Sequence, residues 1–110
     1  MGLFSKKKKQ EEVPVKLPPV SEKLIIEQMI DDDDLAIKYV DQLKNGYPLI
    51  LNFEGLDELA ANKMLAFMVG ATYASDGRTF QINETTFMFA RNVDFEDGSL
   101  KQFIESIPRQ

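Results

Sequence analysis

Residues 24–53 read LIIEQMIDDDDLAIKYVDQLKNGYPLILNF, and this stretch decides the fold. Leu24–Ile30 is a short β-branched run with the length and composition of a strand. Four aspartates follow, Asp31–Asp34, and then Ala36, Ile37, Val40 and Leu43 recur at helical spacing. Lys44-Asn45-Gly46 is a helix stop, with a glycine suited to the left-handed cap. Pro48 stands at the edge of a second strand, Leu49–Phe53. Strand, helix and strand in one unbroken stretch make a β-α-β unit, whose strands run parallel through a right-handed crossover.

Towards the C-terminus, Leu59, Ala60, Met64, Leu65, Phe67, Met68 and Ala71 give a broad apolar face to a second helix. That helix is expected from about Asp57 to Ala71 or slightly beyond. Asp76-Gly77 is a turn signal. Two short strands, Thr79–Ile82 and Thr86–Ala90, flank Asn83-Glu84-Thr85 and predict a hairpin. Ser99 is expected to cap a short final helix, with Gln102 three positions on as in a capping box. The fold expected is α/β: a compact β-α-β-α-β-β sandwich with two helices on one face of a four- to five-stranded sheet. Alternation puts Phe87 and Phe89 on one side of the last strand, and Met88 and Ala90 on the other. Both sheet faces are therefore apolar, and only two long helices are at hand to cover them. The second face is expected to stay open and to form a homodimer interface.

The organisation divides into a tail at 1–9, a linker at 10–23, an α/β domain at 24–98 and a short helix at 99–110. The chain of 110 residues has room for one domain. Its linker carries Pro14, Pro18 and Pro19 and no periodic pattern. Net charge is −5, divided as +3 over Met1–Lys23 and −8 over the remainder. An acidic domain repels phosphate, so nucleic acid is not its expected ligand, although Lys6–Lys9 alone would suit a nucleic-acid tether. The tail MGLFSKKKK joins an apolar tip, Leu3 and Phe4, to the basic run Lys6, Lys7, Lys8 and Lys9. Such a segment suits an anionic membrane surface, where each basic side chain contributes about 1 kcal/mol. Its apolar residues precede the charges, the reverse of a secretory leader, and Lys6 breaks the myristoylation pattern.

The sequence contains no Cys and no His, which removes disulfides, thiolate chemistry and the commonest general base and metal ligand. Asp31–Asp34 lacks the spacing and glycine of an EF-hand loop and suits a helix N-terminus instead. Arg78, Glu84, Arg91, Asp94 and Glu96 surround the hairpin without any hydrolase, transferase or phosphate-loop pattern. The expectation is a binding protein rather than an enzyme, with no cofactor and no metal.

The stretch Phe67–Phe95 carries an ordered set of motifs: Phe67, Gly70, Tyr73-Ala74, Asp76-Gly77, Phe87 and Asn92-Val93-Asp94. With Leu43-Lys44-Asn45 and Pro48–Asn52 upstream, this set resembles the SepF family of bacterial cell-division proteins over about Leu24 to Asp97. The resemblance implies a cytoplasmic adaptor at the inner face of the cell membrane and division septum. A membrane-binding tail and linker would precede a dimeric α/β domain that binds the C-terminal tail of the tubulin-like FtsZ and assembles into polymers. By position, Gly70 matches the glycine tied to self-assembly, and Phe87 the phenylalanine of the peptide-binding hairpin. Gln81 stands where relatives often carry a basic residue. The expected peptide groove is lined by Phe87, Phe89 and Tyr73, with Arg78 or Arg91 meeting carboxylates of the peptide. The alternative is a dimeric regulatory domain that senses a small molecule at its interface.

Overall fold

The computed structural model describes residues 17–108. The tail expectations for Leu3, Phe4 and Lys6–Lys9 lie outside the described residues. Four strands and three helices follow in the order β1 (Ile25–Gln28), α1 (Asp33–Lys44), β2 (Leu49–Asn52), α2 (Glu58–Ala74), β3 (Gly77–Gln81), β4 (Thr86–Arg91) and α3 (Ser99–Ser106). Short 3-10 turns occupy Val20–Lys23 and Asn92–Phe95.

Local chemistry sets the helix ends. Asp32 caps α1, its Oδ1 accepting from the amides of Asp34 at 2.9 Å and Leu35 at 3.2 Å. Asp31 and Asp33 instead meet Lys63 of α2, at 2.8 Å and 3.7 Å. The aspartate run is thus a cap and an ion pair, and no cluster among the described residues could hold a metal. At the other end of α1, Gly46 takes φ +93°. Its amide reaches the Leu43 carbonyl at 3.1 Å, and the Tyr47 amide reaches that of Gln42 at 3.0 Å. Those two bonds close the helix as its glycine foretold.

The sheet order is β1-β2-β4-β3. β1 and β2 are parallel, Ile25 facing Leu49, and β4 is antiparallel to both β2 and β3. Leu49, Leu51, Phe87 and Phe89 turn towards α1 and α2, where Ala36, Tyr39, Leu43, Met64 and Met68 complete the main core. The expected two helices on one sheet face are therefore present.

The other face is not open. Ile50, Met88 and Ala90 lie beneath α3, whose Leu100 is buried among them, and Phe103, Ile104, Val20 and Leu24 close the cluster. The expected homodimer interface on this face is thus occupied by the chain's own C-terminal helix and the turn that enters the domain. The reason is a polar clasp. Asp97 Oδ2 accepts from the Val20 amide at 2.9 Å, and its Oδ1 from the Ser99 amide at 2.8 Å. Ser99 Oγ accepts from the Ser21 amide at 3.0 Å. The N-cap position of α3 is Gly98, and Asp97 just before it takes the Ser99 amide. Ser99 is the first helical residue, behind Gly98 with φ +81°, so the predicted Ser99/Gln102 capping box does not form.

Two glycines contrast sharply. A Cβ on Gly77 would lie 2.5 Å from the Ala90 carbonyl oxygen and 2.9 Å from Thr72 Cγ2. A Cβ on Gly70, on the outer side of α2, would meet nothing within 4 Å. Gly77→Ala is expected to destabilise the fold by roughly 1–3 kcal/mol through overpacking. Gly70→Ala is expected to stabilise it by about 1 kcal/mol, as alanine for glycine does inside a helix. Urea titrations with unchanged m-values would register both.

The clasp also predicts a pH dependence. Hydrogen bonds from Val20 and then Ser99 hold the Asp97 carboxyl below its ordinary 3.8. A depressed folded-state value stabilises above the unfolded one and is lost as pH falls through it. Asp97→Asn is expected to lower the melting temperature at neutral pH. The gap from the unsubstituted protein should close as pH drops below 3.8 and through the depressed value. A gap independent of pH would contradict this.

Candidate functional site

One end of the domain carries a groove between the start of α2 and the hairpin loop. Asn52, the last residue of β2, turns the chain: its Oδ1 accepts from the Glu54 amide at 2.8 Å. The Phe53 amide then bonds the Thr85 carbonyl at 2.7 Å, tying the exit of β2 to the hairpin loop. Asp57 caps α2 through the Ala60 amide at 2.8 Å. Leu56, just before that cap, and Ala61, in the first turn, are both part-buried against the core and both line the groove, as in a hydrophobic staple.

The result is an open groove of about 210 Å³ with Phe53, Leu56, Leu65 and Phe87 among its apolar walls and Glu54 and Glu84 at its rim. The rings of Phe53 and Phe87 meet edge to face with centroids 5.7 Å apart, a geometry that fixes the Phe87 ring while leaving part of it exposed. An apolar side chain of a short peptide would fit such a wall.

The structure divides the predicted site residues. Gln81 is the cross-strand neighbour of Phe87, and its Nε2 donates to the Asn83 carbonyl at 3.1 Å. Phe89 shares the face of Phe87 but is fully buried beneath the helices, so it is core rather than wall. Tyr73 is 82 % exposed on the last turn of α2, at the opposite end. Arg91 is at that end too, four residues from Phe87 or roughly 13 Å along β4. It forms a forked pair with the buried Asp94, Nη2 to Oδ1 at 2.9 Å and Nε to Oδ2 at 3.2 Å. Hydrogen bonding to Asp94 raises the guanidinium pKa further, and Nη1 reaches the Lys44 carbonyl at the end of α1. Arg78 pairs with Ala90 and so faces the α3 side, its guanidinium 4.9 Å from the Phe95 ring and its Nε bonded to Asn92 Oδ1 at 2.8 Å.

A second feature is the outer face of α2. This helix is apolar around most of its circumference. Phe67 remains 43 % exposed and Ile37 of α1 52 % exposed. The two line a shallow cleft with Met64, Ala36 and the Lys63–Asp33 pair. Gly70 lies on the outer side of the same helix.

Comparison with known proteins covers both features. The family model described as cell division protein SepF matches residues 30–94, more than half of the chain. The chain belongs to the SepF family. The SepF of Ruminiclostridium cellulolyticum is 34 % identical over 79 residues, covering 72 % of this chain and 50 % of that protein. The SepF of Carboxydothermus hydrogenoformans is 32 % identical over 63 residues, 57 % of this chain and 46 % of that protein. The SepF of Alkaliphilus oremlandii is 37 % identical over 72 residues, 64 % and 49 % respectively. The chain spans about half the length of the curated relatives it matches. The SepF-matched region contains the whole Phe87 groove and the outer face of α2, and ends before α3. This protein is thus a member of a cell-division family.

Sequence reasoning named Phe87 and Gln81 but missed Phe53, Leu56, Ala61 and Leu65. A signal was present: leucine before the capping Asp57 and alanine four residues after that cap is the staple pattern.

Proposed function

We propose that this protein is a division adaptor that docks the C-terminal tail of FtsZ in the Phe87 groove and links FtsZ filaments to the membrane at the septum. The observation that carries this reading is the groove itself. It is preformed, half apolar, open to solvent and built on the hairpin within the family-matched region. Short peptides bind such grooves through one or two buried anchors. Phe87 supplies the exposed aromatic wall, and Gln81 is its neighbour across the hairpin. Tyr73, Arg78 and Arg91 would face other parts of a bound partner, with the charge of Arg91 already shared with Asp94.

Membrane attachment is assigned to Met1–Lys9, with Leu3 and Phe4 entering the interface and Lys6–Lys9 meeting anionic headgroups. Among the described residues no helix is long and apolar enough to cross a membrane. Self-association is assigned to the outer face of α2, since the second sheet face carries α3. Phe67 and Ile37 supply apolar area there, and Gly70 lets a second backbone come close. A two-fold dimer of this kind places two tails on one particle, which raises avidity without new contacts.

Fluorescence anisotropy with the FtsZ tail peptide is the direct measurement. Saturable binding is expected, weakened about tenfold in Phe87→Ala, as loss of an aromatic anchor costs more than 1 kcal/mol. No binding by the unsubstituted chain at high micromolar concentration would overturn the docking role. Self-association is tested by sedimentation: Gly70→Lys is expected to shift the particle towards monomer with an unchanged circular-dichroism spectrum. Liposome sedimentation with and without residues 1–9 tests the tail, and equal pelleting of both would exclude it.

A further inference from the structure

We infer that the Phe87 groove selects a peptide whose apolar anchor is flanked by lysine or arginine, and that Glu54 and Glu84 are the residues that read those cations. This rests on the docking role proposed above and specifies the chemistry of the occupant.

The groove does not end at Phe87. A second, wider recess of about 660 Å³ opens beside it, lined by Asn52, Glu54, Ile82, Asn83, Glu84 and Thr85. Glu54, Glu84 and Thr85 line both cavities, so they form the ridge between an apolar slot and a polar recess. The backbone that holds this ridge is fastened on both sides. Asn52 Oδ1 takes the Glu54 amide, and Asn83 Oδ1 takes the Thr85 amide at 3.0 Å. The side-chain carbonyls of both asparagines are therefore occupied with shaping the loops, while the two carboxylates project from them. Among the described residues neither Glu54 nor Glu84 joins a salt bridge.

Among the described residues, no Lys or Arg lines either cavity. Lys63 follows the wall residue Asn62, but it is held 2.8 Å from Asp31. Gln81 is neutral, and its amide group is turned to the hairpin loop. An acidic segment entering the slot would meet two carboxylates with no cation among the described lining residues to offset them. A basic segment gains both contacts. Its alkyl stems would also lie along the apolar rim while the charged heads reach the recess. The −8 charge from Leu24 onwards favours the approach of such a segment from a distance.

The test uses the full chain and short fluorescein-labelled peptides with one fixed Leu/Phe anchor pair. Their flanks carry Lys/Arg, Gln or Asp/Glu. The basic peptide is expected to bind most tightly and the acidic one most weakly, with the difference shrinking as salt rises. Glu54→Gln/Glu84→Gln should weaken the basic peptide about three- to tenfold and leave the neutral one unchanged, as exposed pairs of this kind allow. Glu54→Lys/Glu84→Lys should invert the order, so that the acidic peptide binds best. Both positions are exposed loop residues with no side-chain hydrogen bond to lose, so the fold should survive either double change. An order of affinities that ignores flank charge, or that the lysine pair does not invert, overturns the inference even while Phe87→Ala still weakens binding. Failure of every designed peptide to bind a chain that still binds the FtsZ tail peptide overturns this inference alone, and failure to bind that tail as well overturns the docking role with it.

Discussion

The central strands β2 and β4 are buried on both sides, and the rest of the structure answers to that. Leu49 and Leu51 face one layer and Ile50 faces the other, as Phe89 does against Met88 and Ala90. A strand with two apolar faces needs two covers. The main cover is α1 and α2. The second is assembled from segments distant in sequence, α3 and the turn at Val20–Lys23, joined through Asp97. That clasp satisfies amides at the start of the domain and at the start of α3 together. Loss of either segment would leave Ile50, Met88 and Ala90 facing water.

The same layout separates the two ends of the domain. At one end β2, the first turn of α2 and the hairpin loop diverge, which leaves the slot beside Phe87. At the other, α1, α2 and β4 converge on Arg91. There the guanidinium joins Asp94 to the last carbonyl of α1. A charge committed in that way is structural glue, and its removal would strand a buried carboxylate. The open end, by contrast, holds carboxylates with no salt-bridge partner among the described residues. Physical asymmetry of this kind suits a domain that is rigid at one end and receptive at the other.

The adaptor role proposed above needs little more than such surfaces. Membership of the SepF family places the chain among cell-division proteins. What matters is how many weak contacts act at once. A half-apolar slot, an apolar helix face and a short basic tail are each modest alone. In the adaptor role proposed above, their combination in one particle would give strength through multiplicity.

Much of this was legible locally. The cap of α1 at Gly46, the span of α2, the Thr86 start of β4 and the shared side of Phe87 and Phe89 all follow from contacts a few residues apart or from strand alternation. Alternation even separates Arg78 from Phe87, because Arg78 pairs with Ala90. It cannot say how deep a residue lies. Phe89 sits mid-strand under both helices and Phe87 lies past the edge of that cover, a difference set by where α2 begins to cross the sheet. Nor could local pattern show that α3 would close the second sheet face. The bond that decides it joins Val20 to Asp97, 77 residues apart. The sequence by itself determined the elements, their order and the apolar character of both sheet faces, because those depend on neighbours along the chain. Only the tertiary structure decided which apolar face was covered and which phenylalanine stayed partly open, because those depend on neighbours across space.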